Sequence, residues 1–480
     1  MNSAKGKLMK TAAALILPAL LMTAQPYLAS AQDIKAAAKA SISLDKDTPR
    51  RKVGEKPVPS SLEEGLWHES EKVETKAKTS GERTRDLALE AYVQGLMDKV
   101  MKDHKGESRV YVMERPVFNA SMAPNGYTEV WTGLLLRAQT EDEVAFVLGH
   151  EAGHFLHNHS ISAYQAFKDG QNAALAASML IAVVAMGAQA NAGSYAQASD
   201  IGSIASGLID VVYLGSIASY FSYSRDKESY ADLYGHALST AAGFDQGAGE
   251  ALWADRLKET SASDYDKVRK SPTRINIFGS HPLETSRVEA LQTYNKNLGS
   301  YQTTINAEDR LAALQSYRAK IRPYLSRWLE DDLKRQDYGQ TTHIIDQKLE
   351  AKQDLGLLYF YRGEALRLKA IKPSAATIRN AKEGTEKPVT IDFSAAIKAY
   401  ETALTYPDAP PMTHKQVGEL YRRTNEQQKA LEALRTYLRL SPEAEDAWMV
   451  DDEVQKLTKA LEAAPTPEAN APTAPEPVKP

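Results

Sequence analysis

A chain of 480 residues is too long for one ordinary domain, and two or three are expected. Apolar residues make up 43% and charged residues 25%, the balance of a soluble globular protein, and a net charge of −4 gives no reason to expect nucleic acid as a partner. There is no cysteine, which excludes thiol nucleophiles, Cys-ligated zinc, disulfides and lipid attachment through an N-terminal Cys, and leaves His, Glu and Asp as metal ligands.

Lys5, Lys7 and Lys10 precede an apolar run from about Thr11 to Met22, and Ala29-Ser30-Ala31 reads as a small-x-small cleavage site. Pro18 and Pro26 interrupt the run, so residues 1–31 are expected to be a secretory signal peptide cut after Ala31 rather than an anchor, and the product is not a lipoprotein. Residues 32–80, rich in Lys, Glu, Ser and Pro, are expected to form a loosely structured lead-in.

From about Thr84 a helical pattern begins, with Leu87, Ala91, Leu96 and Val100 at near-helical spacing. Arg109 to Met113 reads as a strand, Asn125-Gly126 as a turn and Tyr127 to Trp131 as a second strand. Thr140 lies three residues before Glu143 and opens an apolar run, a capping box at the start of a helix.

That helix carries His150-Glu151-Ala152-Gly153-His154. Residues four apart share one helix face, so both imidazoles reach one zinc ion, and Glu151 between them is placed to take a proton from an attacking water. A catalytic zinc site needs a third protein ligand. A third His ten residues after the first is ruled out, because that position is Ser160. His157 and His159 read as continuing the same helix, where they surround the site or face solvent. The other solution is a carboxylate from a separate helix, and Glu228 in Arg225–Asp232 is the candidate. Asp232, four residues on, is placed to hold the outer nitrogen of a ligand His. By spacing alone, Glu228 and Asp232 are read equally well as a solvated acidic face.

Residues 173–219 are rich in Ala, Gly, Ser and aliphatics. They read as a helical hairpin packed on the core, with peripheral membrane contact as the alternative. After about Ala307 the chain looks continuously helical. Gly418, Tyr421, Ala430 and Pro442 fit a tetratricopeptide unit. Gly363 is read as starting one helix of a second unit, with Ala396, Tyr400, Ala403 and Pro407 in the partner helix. A polar insert from about Lys372 to Thr390 separates them, and residues 310–352 form an atypical first unit. Residues 464–480, rich in Pro and Ala, are expected to be a disordered tail.

Phe118-Asn119-Ala120-Ser121-Met122, Trp131-Thr132-Gly133-Leu134-Leu135, the His-Glu-x-x-His helix and the Arg225–Asp232 segment together resemble metallopeptidase family 48, the gluzincins that include HtpX and Oma-type proteases. The signal peptide and C-terminal repeats look most like its periplasmic, BepA-like branch. The resemblance is strong from about Leu87 to Ala290. It implies a mainly α fold with a small β-sheet (an α+β gluzincin domain, residues 81–300), followed by an all-α tetratricopeptide-like domain at residues 301–463. It implies one zinc per chain held by His150, His154 and Glu228, with Glu151 as general base and Asp232 supporting a ligand. Ser280-His281-Pro282-Leu283 resembles the family's His-Pro motif, which makes His281 a fourth ligand that latches the enzyme or a hydrogen-bond donor to the transition state. Arg287 matches an Arg of the same motif and is a second candidate to stabilise the oxyanion. The strand at Tyr127–Thr132 is expected to pair with an extended substrate.

The function implied is a zinc endopeptidase of the bacterial envelope acting in the periplasm on unfolded or misassembled proteins, outer-membrane proteins among them. The repeats would recruit clients or dock on the outer-membrane assembly machinery. The alternative is a periplasmic chaperone or assembly factor with minor or latent proteolysis. Cysteines that pair in relatives of that branch are absent here.

Overall fold

The structure, a computed structural model, describes residues 51–168, 223, 225–270, 285–297, 306–372 and 391–463. The signal-peptide segment 1–31, the stretch 173–219, His281, insert residues 373–390 and the tail 464–480 lie outside the described residues. The described chain is mainly helical with one small sheet.

The sheet has three strands, β1 (Arg109–Met113), β2 (Ala120–Met122) and β3 (Tyr127–Trp131), in the order β1-β3-β2. β3 runs parallel to β1, with Arg109 opposite Tyr127 and Met113 opposite Trp131, and antiparallel to β2. The turn into β3 needs glycine: Gly126 has φ +84°, and a Cβ there would fall 1.8 Å from the Glu107 carbonyl oxygen. The expectation that a substrate strand pairs with β3 fails on this topology. Both edges of β3 are already bonded, and the outer strands among the described residues are β1 and β2, the latter buried along its length.

Side chains alternate across the sheet. Val110, Val112, Ala120, Met122 and Val130 join the main core with Leu89, Val93, Leu96 and Met97 of α2 (Leu87–Val100). Tyr111, Met113, Tyr127 and Trp131 face the other way and are covered by α1 (Leu62–Thr79). That helix lies inside the segment expected to be loosely structured. Its sequence explains it: Leu66, Ser70, Glu74 and Ala77 recur on one face and are buried, and Ser61 caps it by accepting the Glu64 N–H. Glu74 then accepts both Arg109 Nε and Nη2 at 2.7 Å and the Tyr111 hydroxyl at 2.8 Å, which fastens α1 to β1.

The helix α3 (Thr132–Arg137) leads from β3 into α4 (Glu141–Leu156), the central helix, in which every residue from Glu143 to Leu156 is buried. Next come α5 (His159–Lys168), α6 (Arg225–Ala241), α7 (Ala248–Ser261) and α8 (Thr285–Asn297). The C-terminal region is helical throughout its described part. It contains α9 (Ala307–Ile321), α10 (Leu325–Lys334), α11 (Tyr338–Lys348), α12 (Leu355–Ile371), α13 (Ser394–Ala403), α14 (Met412–Arg423), α15 (Gln427–Leu440) and α16 (Ala447–Ala463). Gly363 lies in the middle of α12 rather than at its start, where a Cβ would strike the Tyr400 ring of α13. Gly418 of α14 sits likewise against Leu434 of α15. No described helix is long and apolar enough to cross a membrane.

The helical region is joined to α3 and α7 through buried charge. Arg137 donates from Nε to Glu259 at 2.9 Å and from Nη2 to Asp332 at 2.6 Å, all three side chains being almost fully buried. Burial pulls the Arg137 guanidinium down to about 10, so it is still charged at neutral pH. Asp332 also accepts from Arg335 and from the Thr341 hydroxyl. Arg137→Ala leaves two buried carboxylates short of a partner and is expected to cost roughly 3–5 kcal/mol in urea unfolding. Arg327→Ala, which removes an exposed pair with Glu114, should shift the urea midpoint little.

Candidate metal centre

α4 starts as its sequence suggests, with one change. Thr140 accepts the Glu143 N–H at 3.3 Å, but the Glu143 carboxylate closes back onto the Gln139 N–H at 2.7 Å rather than onto Thr140. The helix ends at Leu156. His157 caps it and Asn158 takes a left-handed conformation with φ +52°, so His159 opens α5 instead of continuing α4. Both histidines are buried, not solvated: the Tyr230 hydroxyl lies 2.9 Å from His157 Nε2, and His159 Nδ1 lies 2.9 Å from His154 Nδ1.

His150 and His154 lie one turn apart with their Nε2 atoms 3.2 Å from each other. α6 packs across this face of α4 and brings Glu228, whose carboxylate oxygens lie 3.7 Å from His150 Nε2 and 3.5 Å from His154 Nε2. Four ligands about 2.0–2.1 Å from a tetrahedral zinc are separated from one another by about 3.3 Å. The three observed separations are close to that edge length, and two imidazoles with one carboxylate form a donor set suited to zinc. The residues therefore fit the ion that the sequence implies. All three are buried, as is Glu151 beside them.

The approach of α6 to α4 is set by glycine. A Cβ on Gly235 would lie 2.7 Å from the His150 backbone nitrogen, and one on Gly149 would lie 2.8 Å from the Gly235 carbonyl oxygen. Glu228, Asp232 and Gly235 follow an i, i+4, i+7 pattern, so one face of α6 carries the ligand, its support and the contact point.

Asp232 accepts from His150 Nδ1 at 3.0 Å, from Trp253 Nε1 at 3.0 Å, and from Arg287 Nε and Nη2 at 2.6 Å each. Burial pushes the Asp232 carboxyl up, but the Arg287 charge and hydrogen bonds, with His150, outweigh it and hold the group below its ordinary value. Arg287 also reaches Glu228 through Nη1 at 3.0 Å, and its guanidinium lies over the Trp253 ring. Burial opposes its charge, yet the facing carboxylates keep it above its usual range. Arg287, read from sequence as an oxyanion stabiliser, thus has its donors turned to Asp232 and Glu228 and positions the ligand set. His281 lies outside the described residues.

Sequence reasoning missed Gly149, Gly235, Trp253 and His236. An isolated glycine inside a helical pattern was the available signal for Gly235. His236, also on α6, donates from Nε2 to Asn295 Oδ1 at 2.6 Å and so clasps α6 to α8, the helix of Arg287. Its ring is buried against Tyr294.

Gly235→Ala is expected to push α6 away and weaken zinc binding by at least about tenfold, read by competition with a chromophoric chelator. Gly95→Ala on α2, where a Cβ meets open space, should leave zinc affinity unchanged and stabilise by about 0.5–1 kcal/mol. Burial pulls the His236 imidazole from 6.5 down to about 4. The unfolded chain therefore takes up this proton first, and stability falls as pH drops from 6.5 to about 4, by roughly 3 kcal/mol in all. His236→Gln keeps a donor to Asn295 without that proton. Urea midpoints of the metal-free proteins measured across this window should fall less for the variant than for wild type.

Residues 83–295 match the model of peptidase family M48. The Vibrio cholerae protein named "Putative beta-barrel assembly-enhancing protease" is 29% identical over 209 residues, which cover 42% of this chain and 38% of that protein. "Metalloprotease YcaL" of Escherichia coli is 30% identical over 175 residues, 36% of this chain and 57% of that protein. Each match thus spans less than two thirds of the relative's own length. The matched stretch begins just before α2 and ends in α8, so it contains the sheet, both ligand-bearing helices and Arg287. Between residues 83 and 295, then, the chain is similar to peptidase family M48.

Proposed function

We propose that this chain is a zinc-dependent endopeptidase of the bacterial cell envelope. It is exported to the periplasm and hydrolyses peptide bonds of unfolded or misassembled proteins, outer-membrane proteins among them. The observation that carries this reading is the set of three buried ligand atoms at tetrahedral spacing with Glu151 on the adjoining turn. The name of the Vibrio relative supports the envelope setting and the class of client.

His150, His154 and Glu228 would hold the ion. When bound, zinc supplies a Lewis acid that polarises a peptide carbonyl and acidifies water. Glu151 takes the proton of the attacking water and passes it to the departing amine. Asp232 keeps the His150 ring turned so that Nε2 faces the site. Arg287 holds Asp232 and Glu228 in place. His281 is the candidate latch or oxyanion donor.

The outer side of β2, not β3, is the candidate to meet a peptide backbone. Asn119 accepts the Trp131 N–H and Ala123 donates to Tyr127, so these residues turn inward to β3. By alternation Ala120 and Met122 turn their amides outward. β2 packs on α4, so an added strand would run beside the ligand helix and be bound through main-chain atoms, with little demand on sequence. Residues 301–463, read as tetratricopeptide-like repeats, recruit clients or an assembly partner.

The test is purification of the chain without residues 1–31, zinc analysis, and casein cleavage by wild type, Glu151→Gln and His281→Ala. Wild type should bind zinc and cleave. Glu151→Gln should keep zinc and lose about 10²–10⁴-fold in kcat. Activity surviving in Glu151→Gln would sink the mechanism. Zinc without cleavage in both wild type and His281→Ala would favour a chaperone with latent proteolysis.

A further inference from the structure

His154 has an outer partner unlike that of His150. On His150 the Nδ1 hydrogen meets a carboxylate, Asp232, which has no hydrogen of its own to offer. On His154 the Nδ1 faces another imidazole nitrogen, His159 Nδ1, at 2.9 Å, with both rings buried. Two ring nitrogens at that separation share one hydrogen. If His159 Nδ1 carries it, a neutral His154 bears its own hydrogen on Nε2. That is the atom facing His150 and Glu228, and no lone pair is left there for a metal. If His154 Nδ1 carries it, the Nε2 lone pair points into the ligand set. Only the second arrangement permits ligation.

The contact is built, not incidental. In a continuous α-helix, residues five apart point roughly 140° away from each other. His154 and His159 meet because the chain breaks at Asn158, whose left-handed conformation Asn tolerates better than most residues. Arg51 holds that break. Its backbone N–H donates to the Leu156 carbonyl at 2.7 Å and its Nη2 to Asn158 Oδ1 at 2.7 Å. Tyr223 stacks on the His154 ring at 4.0 Å with the planes 16° apart, and its hydroxyl lies 2.6 Å from Ser160 Oγ beside His159. The His154 ring is thus fixed in plane by Tyr223 and in rotation by His159.

We propose that His159 is a positioning residue for His154. Its Nδ1 accepts the His154 Nδ1 hydrogen and selects the tautomer that turns the Nε2 lone pair to the metal, before any metal is bound. The inference rests on the metal-centre reading above. It adds a neutral support on one ligand to the carboxylate support on the other.

The test uses the full mature chain. Zinc affinity is measured by chelator competition for wild type, His159→Asn and His159→Leu. The two replacements have similar shapes, but only Asn offers an acceptor near the position of the lost Nδ1. His159→Leu should bind zinc about 10–100-fold more weakly, and His159→Asn should recover to within about threefold of wild type. Melting of the metal-free proteins by circular dichroism shows whether each variant is folded. Equal affinity in wild type and His159→Leu, or equal loss in Leu and Asn when both are folded, would overturn the proposal and leave His159 as packing. A wild type that binds no zinc would instead overturn the metal-centre reading, and this proposal with it. The tautomer is also readable without a variant. Ring ¹⁵N shifts of the metal-free, histidine-labelled wild type should show His154 protonated at Nδ1, and protonation at Nε2 would overturn the proposal even if no variant folds.

Discussion

The candidate metal centre depends on how closely two helices approach. Packed helices usually keep their axes 8–10 Å apart because side chains fill the space between them. At the crossing of α4 and α6 there is glycine on both sides, Gly149 and Gly235, so backbone meets backbone. Each glycine costs about 1 kcal/mol in a helix interior relative to alanine. What the fold gains is reach. Glu228 lies two turns before Gly235 on the same face, and a short carboxylate closes to 3.5–3.7 Å of two imidazoles only if the helices are this close. Moving the axes apart by the width of one methyl group would open that triangle.

The same closeness concentrates charge. Glu151, Glu228 and Asp232 are buried carboxylates gathered around one guanidinium, Arg287. Taking such groups out of water is costly unless opposite charge meets them, and a divalent cation at the candidate ligand triangle would supply it. Arg287 meets two of the carboxylates at once, with its face against Trp253. Its own position comes from α8, which the His236–Asn295 hydrogen bond ties back to α6. The ligand helix, the supporting carboxylate, the guanidinium and the clasp therefore form one closed circuit through α4, α6 and α8.

The parts of this circuit that obey local rules were legible in the sequence. Thr140 and Glu143 announced the start of α4, and His150, Glu151 and His154 declare their chemistry by spacing within one helix. Glu228 is different. Its spacing suited a solvated face equally well, and the resemblance to a family, not periodicity, singled it out. Tertiary approach was hidden. Gly235 sits 85 residues or more from the atoms it touches, and nothing local distinguishes it from a tolerated helix glycine. The central place of β3 also eluded the reading, because strand order is a property of the folded sheet and not of any one strand. The helix α1 was overlooked for another reason: its segment is polar in bulk, and what orders it is a one-sided stripe ending in Glu74, together with the Ser61 cap. His159 was misplaced because the helix was continued through Asn158, where a single left-handed residue turns the chain.

α4 is gripped at both ends by elements outside the M48 match. At its C-terminal end, Arg51 bonds the Leu156 carbonyl and spreads its guanidinium over Phe155, placing positive charge where a helix terminus is partially negative. At its N-terminal end, the last carbonyls of the short helix α3 have no helical partner and are buried. Side chains of the helical region meet one of them and the next carbonyl along, Tyr317 bonding Leu135 and Lys348 bonding the capping residue Ala138, while Gln139 turns back to the Arg137 carbonyl and also bonds Gln347. Buried carbonyls left without donors would each cost about 1–3 kcal/mol, and Arg137 adds its two carboxylates from α7 and α10 to the same junction. The helical region is therefore part of the scaffold of the ligand helix, not an appendage to it. A load on α10 or α11 passes through Asp332, Gln347 and Lys348 to Arg137–Gln139, only a few turns from His150. If clients or partners bind the helices beyond residue 301, these buried contacts join their docking to the candidate metal centre.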